Sequence, residues 1–254
     1  MKNSETDPTK RFANRVEHYI KYRPKYPHAV IEFLTTKLNL KPSDIIADIG
    51  CGTGIFTEML LDNGNEVYGI EPNNEMRNAA ETLLNKYSKF RSKNGTAEDT
   101  TLPVDCVNFI FSAQAFHWFK REKAKIEFQR ILKKNGWVVL LWNSRVNDSS
   151  QFMNEYENFL KIYSVDYNLV SHTNIDKFEY DSFFSSYEVM HFPNQQSFNF
   201  EGLKGRLLSS SYAPDENHPD YNITMKKLES LFHKFEKNET VEFIYDTEMY
   251  YGRI

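Results

Sequence analysis

The stretch IIADIGCGTG, Ile45 to Gly54, sets a short apolar run directly before Gly50, Gly52 and Gly54. An apolar run of that length reads as a buried strand, and glycines at its end let a ligand approach the backbone. The dinucleotide fingerprint G-x-G-x-x-G would need glycine at 55, where the chain has Ile55. GIFTEMLLDNG then reads as a helix ended by Gly64, and EVYGIE as a second strand closed by Glu71. An acid at that place, about twenty residues beyond the glycines, can accept hydrogen bonds from both hydroxyls of a ribose.

The alternation continues outward. NNEMRNAAETLLNKY predicts a helix capped by Asn73 or Asn74, and KFRSKNG a short strand. CVNFIFSA predicts a strand, REKAKIEFQRILKKNG a helix ending at Gly136, and WVVLLWN a further strand. Near-continuously apolar strands alternating with helices predict a parallel sheet covered on both faces, with the loops after the strands gathered along one edge. Upstream, helices are expected over Phe12–Tyr22 and His28–Leu38, after a disordered tail over residues 1–9. Downstream, helices are expected over 151–164, 201–210 and 219–237, a short strand near YEVMHF, and a C-terminal strand in ETVEFIYDTEMYYG.

With 254 residues, 40% of them hydrophobic, the chain can bury a large core. A net charge of −4 gives no global attraction to nucleic acid or to an anionic membrane. No apolar run approaches the length of a membrane span, and no signal-peptide pattern opens the chain, so a cytoplasmic protein is expected. Cys51 and Cys106 form no metal-binding pattern, so no metal is expected.

ADIGCGTG, then GIEPN, then GTAEDTTLP before an apolar strand resembles the class I S-adenosylmethionine-dependent methyltransferases. YIKYRPKYP and AFHWF resemble their small-molecule branch, which includes trans-aconitate and ubiquinone-biosynthesis methyltransferase-like enzymes. The resemblance covers roughly residues 12–143 and implies an α/β, Rossmann-like, doubly wound, mostly parallel seven-stranded sheet. It divides a single domain into an N-terminal helical lid (10–40), a cofactor-binding core (41–145), a helical substrate-side elaboration (146–238) and a C-terminal strand (239–254).

The resemblance implies the cofactor S-adenosyl-L-methionine, with S-adenosyl-L-homocysteine as product, and a small-molecule acceptor. Asp48 would face the amino acid end of the cofactor, with Gly50, Cys51 and Gly52 along its methionine part. Glu71 would hold the ribose, Pro72 and Met76 would contact the adenine, Ala97 and Glu98 would meet its polar edge, and Gln114 would lie beside the methionine. Arg23 is a candidate for the methionine carboxylate, because a guanidinium pairs bidentately with a carboxylate. Tyr22 and its neighbouring tyrosines would close over the pocket.

His117 is either a base or hydrogen-bonding group at the acceptor or a packed ring beside Trp118. Trp118 and Trp142 are candidates for the acceptor side, Trp142 alternatively for the core. Arg206 and Ser210 fall four apart on one helix face, so Arg206 could bind an anionic acceptor with Tyr212 beside it. AQAFHWF differs from the NPPY-type turn of many amino-nitrogen methyltransferases, which favours an oxygen or carbon acceptor over RNA methylation. A tRNA or RNA methyltransferase and a non-catalytic cofactor-binding protein remain as alternatives, acting as monomer or homodimer.

Overall fold

A computed structural model describes residues 15–165, 167 and 177–254. The expected tail over residues 1–9 and the start of the first helix at Phe12 lie outside the described residues. The chain enters through α1 (Val16–Tyr22) and α2 (His28–Lys37), separated by an extended turn at Pro24. Then β1 (Ile45–Ile49), α3 (Ile55–Asp62), β2 (Glu66–Ile70), α4 (Asn74–Leu83), β3 (Phe90–Lys93) and β4 (Val107–Ala113) follow in alternation. A 3-10 turn at Phe116–Trp118 leads to α5 (Arg121–Ile131) and β5 (Leu132–Arg145). The second half adds α6 (Gln151–Tyr163), α7 (Lys177–Phe183), β6 (Ser186–Phe198), α8 (Phe200–Leu208), α9 (Tyr221–Phe235) and β7 (Val241–Arg253).

The seven strands form one sheet in the order β3-β2-β1-β4-β5-β7-β6. The first five pair in parallel, and β7 runs antiparallel to both β5 and β6. Ile46, Ala47 and Ile49 are wholly buried because helices cover both faces, which is why β1 shows no polar alternation. One face packs Val30 and Leu34 of α2 with Phe56 and Leu60 of α3; the other packs Ala124, Phe128 and Ile131 of α5 with Phe183 of α7. A third cluster joins α6, α8 and α9 to Phe243 and Tyr245 of β7. From β1 the strand order runs one way to β2 and the other way to β4, so a crevice opens at their carboxyl ends.

Three expectations need correction. The helix expected to run to Gly136 ends at Ile131, because Leu132 is already extended and pairs with Val107. The short strand near YEVMHF is a thirteen-residue edge strand, held along its whole length by β7. Its polar residues and Pro193 broke the apolar pattern, and an edge strand tolerates both. Helix α7 was not expected. The cap at Asn73 is as anticipated: its side chain accepts from the Met76 amide at 2.9 Å.

Candidate functional site

Two cavities open at the crevice. The larger, about 350 Å³, is walled by Gly52, Glu71, Pro72, Asn73, Met76, Thr96, Ala97, Glu98, Trp118, Phe119 and Lys120. The inner one, about 40 Å³, is walled by Arg23, Pro24, Tyr26, Asp48, Cys51, Ile55, Phe56, Asn143 and Arg206. Tyr19, Gly50, Ala113 and Gln114 border both.

Glu71 stands at the end of β2 because β2 lies beside β1 in register, Ile49 opposite Ile70. Its Oε2 accepts from the Gly52 amide at 2.9 Å and its Oε1 from the Asn73 amide at 2.8 Å. Burial lifts its carboxyl above the ordinary value, while those two amides and Arg77 pull it back down. Each oxygen keeps a lone-pair site for a further donor, so the carboxylate is fixed and still able to receive two hydroxyls.

Asp48, at the end of β1, is 1% exposed. Its Oδ2 accepts from the Thr57 hydroxyl at 2.6 Å, and its Oδ1 is buried without a hydrogen-bond partner. Burial pushes its carboxyl up to about 7, against the Thr57 hydrogen bond and with help from the nearby charge of Glu71. An orphaned carboxylate oxygen in an apolar setting is costly unless a donor arrives. An ammonium group meets that need, so the residues present fit the amino acid end of S-adenosylmethionine.

The two glycines differ in what they permit. At Gly52, with φ +57°, an added Cβ would meet nothing nearer than the Tyr19 hydroxyl at 4.0 Å, so the space beyond it belongs to the cavity. At Gly50, with φ +70°, it would lie 2.5 Å from Ala115 Cβ, so this glycine is required by packing before any ligand arrives. Gln114, after β4, also has positive φ, 62°, and its amide donates to Leu141 O at 2.9 Å. A left-handed non-glycine residue between two cavities is strain held in place by the sheet.

Most expected positions converge. Pro72, Met76 and Ala97 line the larger cavity, as does Glu98, whose Oε1 accepts from the Lys120 amide at 2.7 Å. Arg23 lies over the Tyr19 ring, 4.9 Å from its centroid, and donates to Ser209 O at 2.8 Å.

Others are placed differently. Tyr22 faces Gly205 of α8, where an added Cβ would lie 2.0 Å from its ring, and Tyr19 takes the place at the cavity. Tyr19 and Arg23, the extended residue that ends α1, both reach the inner cavity. Trp118 lines the larger cavity beside the expected adenine residues, not the inner one. His117 packs between Trp118 and Trp142, at 4.5 and 5.4 Å between ring centroids, and lines neither of the two cavities. Trp142 is 1% exposed and part of the core, and its neighbour Asn143 reaches the inner cavity instead. Arg206 lines the inner cavity and donates to Ser210 Oγ at 3.0 Å. Tyr212 stands behind it, its hydroxyl accepting from Arg145 at 3.3 Å, and lines neither cavity.

Tyr26 and Asn143 both reach the inner cavity. Tyr26 belongs to the quoted YIKYRPKYP segment, and Asn143 ends a strand at the ligand edge, so spacing carried a signal for both. Asn143 Oδ1 accepts from Asn194 Nδ2 at 3.1 Å, and the same Nδ2 donates to Lys25 O at 2.8 Å, which holds the Pro24–Tyr26 segment over the sheet. Among the described residues no group of three His, Cys, Asp or Glu side chains is placed to hold a metal, and no helix is long and apolar enough to cross a membrane.

Comparison with known proteins follows the same outline. Residues 47–140 match a family described as a methyltransferase domain. An uncharacterized methyltransferase-like protein of Schizosaccharomyces pombe is 32% identical over 137 residues, covering 54% of this chain and 52% of that protein. An uncharacterized methyltransferase of Mycobacterium tuberculosis is 31% identical over 145 residues, 57% of each. The chain thus spans about half the length of the curated relatives it matches. A solved structure from Anaeromyxobacter dehalogenans, named for a proposed type II methyltransferase, shares the fold with TM-score 0.67 at 18% identity, covering 91% of this chain and 98% of that one. The glycine loop and the acidic strand ends of this crevice thus lie within the stretch that is similar to a methyltransferase domain, and the chain shares its fold with a solved structure of that kind.

Proposed function

We propose that the protein transfers the methyl group of S-adenosylmethionine to a small-molecule acceptor, at oxygen or carbon. The observation that carries this reading is the pair of buried carboxylates at the ends of adjacent strands, Glu71 on the larger cavity, fixed by two amides, and Asp48 on the inner one, with an unpartnered Oδ1. Glu71 would hold the ribose and Asp48 the amino group, while Arg23 would take the carboxylate. Pro72, Met76 and Ala97 offer apolar contact for the adenine.

When bound, the cofactor supplies an already activated methyl group, so the protein need not create an electrophile. The work left to the chain is positioning and exclusion of water. Tyr19, Arg23 and Tyr26 wall the inner cavity from the N-terminal side, which suits a compact acceptor better than a base held in a polymer strand. His117, packed between two tryptophans, is not needed as a base for an acceptor that is ionised before it reacts.

Isothermal titration with S-adenosylmethionine and with S-adenosylhomocysteine tests the reading. Saturable binding of both is expected; no binding at millimolar concentration sinks it.

A further inference from the structure

Between α1 and α2 the chain runs Arg23-Pro24-Lys25-Tyr26-Pro27, extended at Arg23 and again at Pro27. Its two prolines have no amide to donate, so this strap cannot be held as a sheet strand is held. Yet it carries Arg23 and Tyr26 to the inner cavity, with Lys25 between them. A row of side-chain amides on the antiparallel side of the sheet fixes it. Asn194 of β6 donates from Nδ2 to Lys25 O at 2.8 Å and to Asn143 Oδ1 of β5 at 3.1 Å. Asn143 Nδ2 meets the same Lys25 O at 3.5 Å, and Gln196 Nε2 meets Tyr22 O at 3.4 Å.

The row has one polarity. The Thr247 hydroxyl donates to Asn143 Oδ1. Arg206 Nε donates to the Tyr245 hydroxyl at 3.1 Å, and that hydroxyl donates to Gln196 Oε1 at 3.0 Å. Asn194 Oδ1 is taken by the Gln195 amide at 2.9 Å. With their oxygens engaged, all three amides present nitrogen to the strap, whose carbonyls can only accept. Asn194 and Gln196 lie two apart, so they share one face of β6. Arg23 is thus held from two sides. Its guanidinium lies over Tyr19 and donates to Ser209 O at 2.8 Å, while the chain just beyond it is tied to the sheet through Lys25 O. A guanidinium pairs strongly with a carboxylate only when its planar fork is aimed, so the anchoring of its backbone matters to a ligand.

We propose that Asn194, backed by Asn143 and Gln196, is a positioning residue for the cofactor: it holds the strap so that the Arg23 guanidinium is aimed at the carboxylate of the methionine end. This rests on the methyltransferase reading and deepens it, by giving the edge strand of the sheet a part in cofactor recognition. A ligand without an amino acid end should not feel Asn194.

The test compares two ligands by isothermal titration of the full chain. One is S-adenosylhomocysteine; the other is methylthioadenosine, which keeps adenine, ribose and sulfur and lacks the amino acid end. The wild type is expected to bind S-adenosylhomocysteine the more tightly. Asn194→Leu, close in size and without the donor, should weaken S-adenosylhomocysteine about fivefold, the loss for one net hydrogen bond. Methylthioadenosine affinity should stay unmoved. In an Arg23→Met background Asn194→Leu should cost nothing further, because residues that act through one contact are not additive.

Equal loss for both ligands overturns the inference, since a merely loosened fold would not tell them apart. Unchanged S-adenosylhomocysteine affinity in Asn194→Leu overturns it too, as does a full additional loss in the Arg23→Met background. Should Asn194→Leu not fold, Asn194→Ala decides by the same comparison. A wild type that binds both ligands equally also overturns it and leaves the methyltransferase reading standing. A wild type that binds neither sinks that reading itself, and the inference with it.

Discussion

Glu71 combines two roles in one carboxylate: it binds the Gly52 and Asn73 amides and keeps acceptor capacity for a ligand. Glu71→Ala should weaken S-adenosylhomocysteine binding by about 1.5–3 kcal/mol, the range for hydrogen bonds to charged groups. An unchanged dissociation constant in a variant with native circular dichroism would remove the ribose role. Asp48 adds a dependence on pH. Its folded-state carboxyl is raised to about 7 from an ordinary 3.8. The empty fold therefore holds a proton that the unfolded chain has lost, so this group's contribution to stability is complete below about pH 4 and is lost as pH rises to about 7. The ligand's ammonium prefers the ionised form, so S-adenosylhomocysteine should bind more tightly as pH rises through about 7. Titrations across that interval check it, and Asp48→Asn should flatten the profile; a wild-type profile equally flat would refute the assignment. Both acids were legible in sequence, because a strand end beside a glycine loop fixes where its last side chain lies. Tyr212 was not, since its place depends on how the end of α8 packs against Arg145.

Between elements, α1 is clamped to α8. Arg15 donates to Leu208 O, Ser210 O and Ala213 O at 3.1, 2.6 and 2.7 Å, and Arg23 donates to Ser209 O. These carbonyls cluster at the C-terminal end of α8, where helical carbonyls lack internal partners and cations are favoured. Gly205 lets the Tyr22 ring lie directly on the helix between the two arginines in sequence. None of the residues of α1 is fully buried, so these contacts, more than a core of its own, hold it. Hydrogen exchange over residues 16–26 should slow on adding S-adenosylhomocysteine, as for a lid drawn from the less stable part of a fold. Gly205→Ala would put a Cβ into the Tyr22 ring, so exchange in that segment should quicken and ligand affinity fall. Exchange that neither ligand nor substitution alters would make α1 a fixed wall. The existence of α1 was legible from its helical spacing. Its orientation was not, because α8 lies almost two hundred residues away and the contact is made by a glycine, which has no side chain to signal it.

At the scale of the molecule, strand β7 does what no local pattern announces. It lies between β5 and β6 and runs antiparallel to both, Leu140 opposite Tyr250 on one side and Phe192 opposite Thr247 on the other. The parallel half of the sheet was legible because each apolar strand is followed by its own covering helix. The place of β7 was not, since pairing across such sequence separations leaves no periodic trace beyond the alternation of one strand. Its inward residues also join two cores: Met249 and Tyr251 pack with the cluster under α2 and α3, Phe243 and Tyr245 with α6, α8 and α9. Tyr245 further supports Arg206 from behind, so the strand that ties the cores together also sets a cavity wall. Removing residues 241–254 should therefore do more than weaken the edge. It would leave β5 with an open edge, detach β6, and expose apolar side chains of both clusters, whose burial contributes about 25 cal/mol per Å². The truncated chain is expected to lose its cooperative thermal transition and to bind a hydrophobic dye at ambient temperature. A sharp transition with S-adenosylhomocysteine binding intact would show instead that β1 to β5 and their helices form a self-sufficient unit, with β7 and β6 merely added to its side.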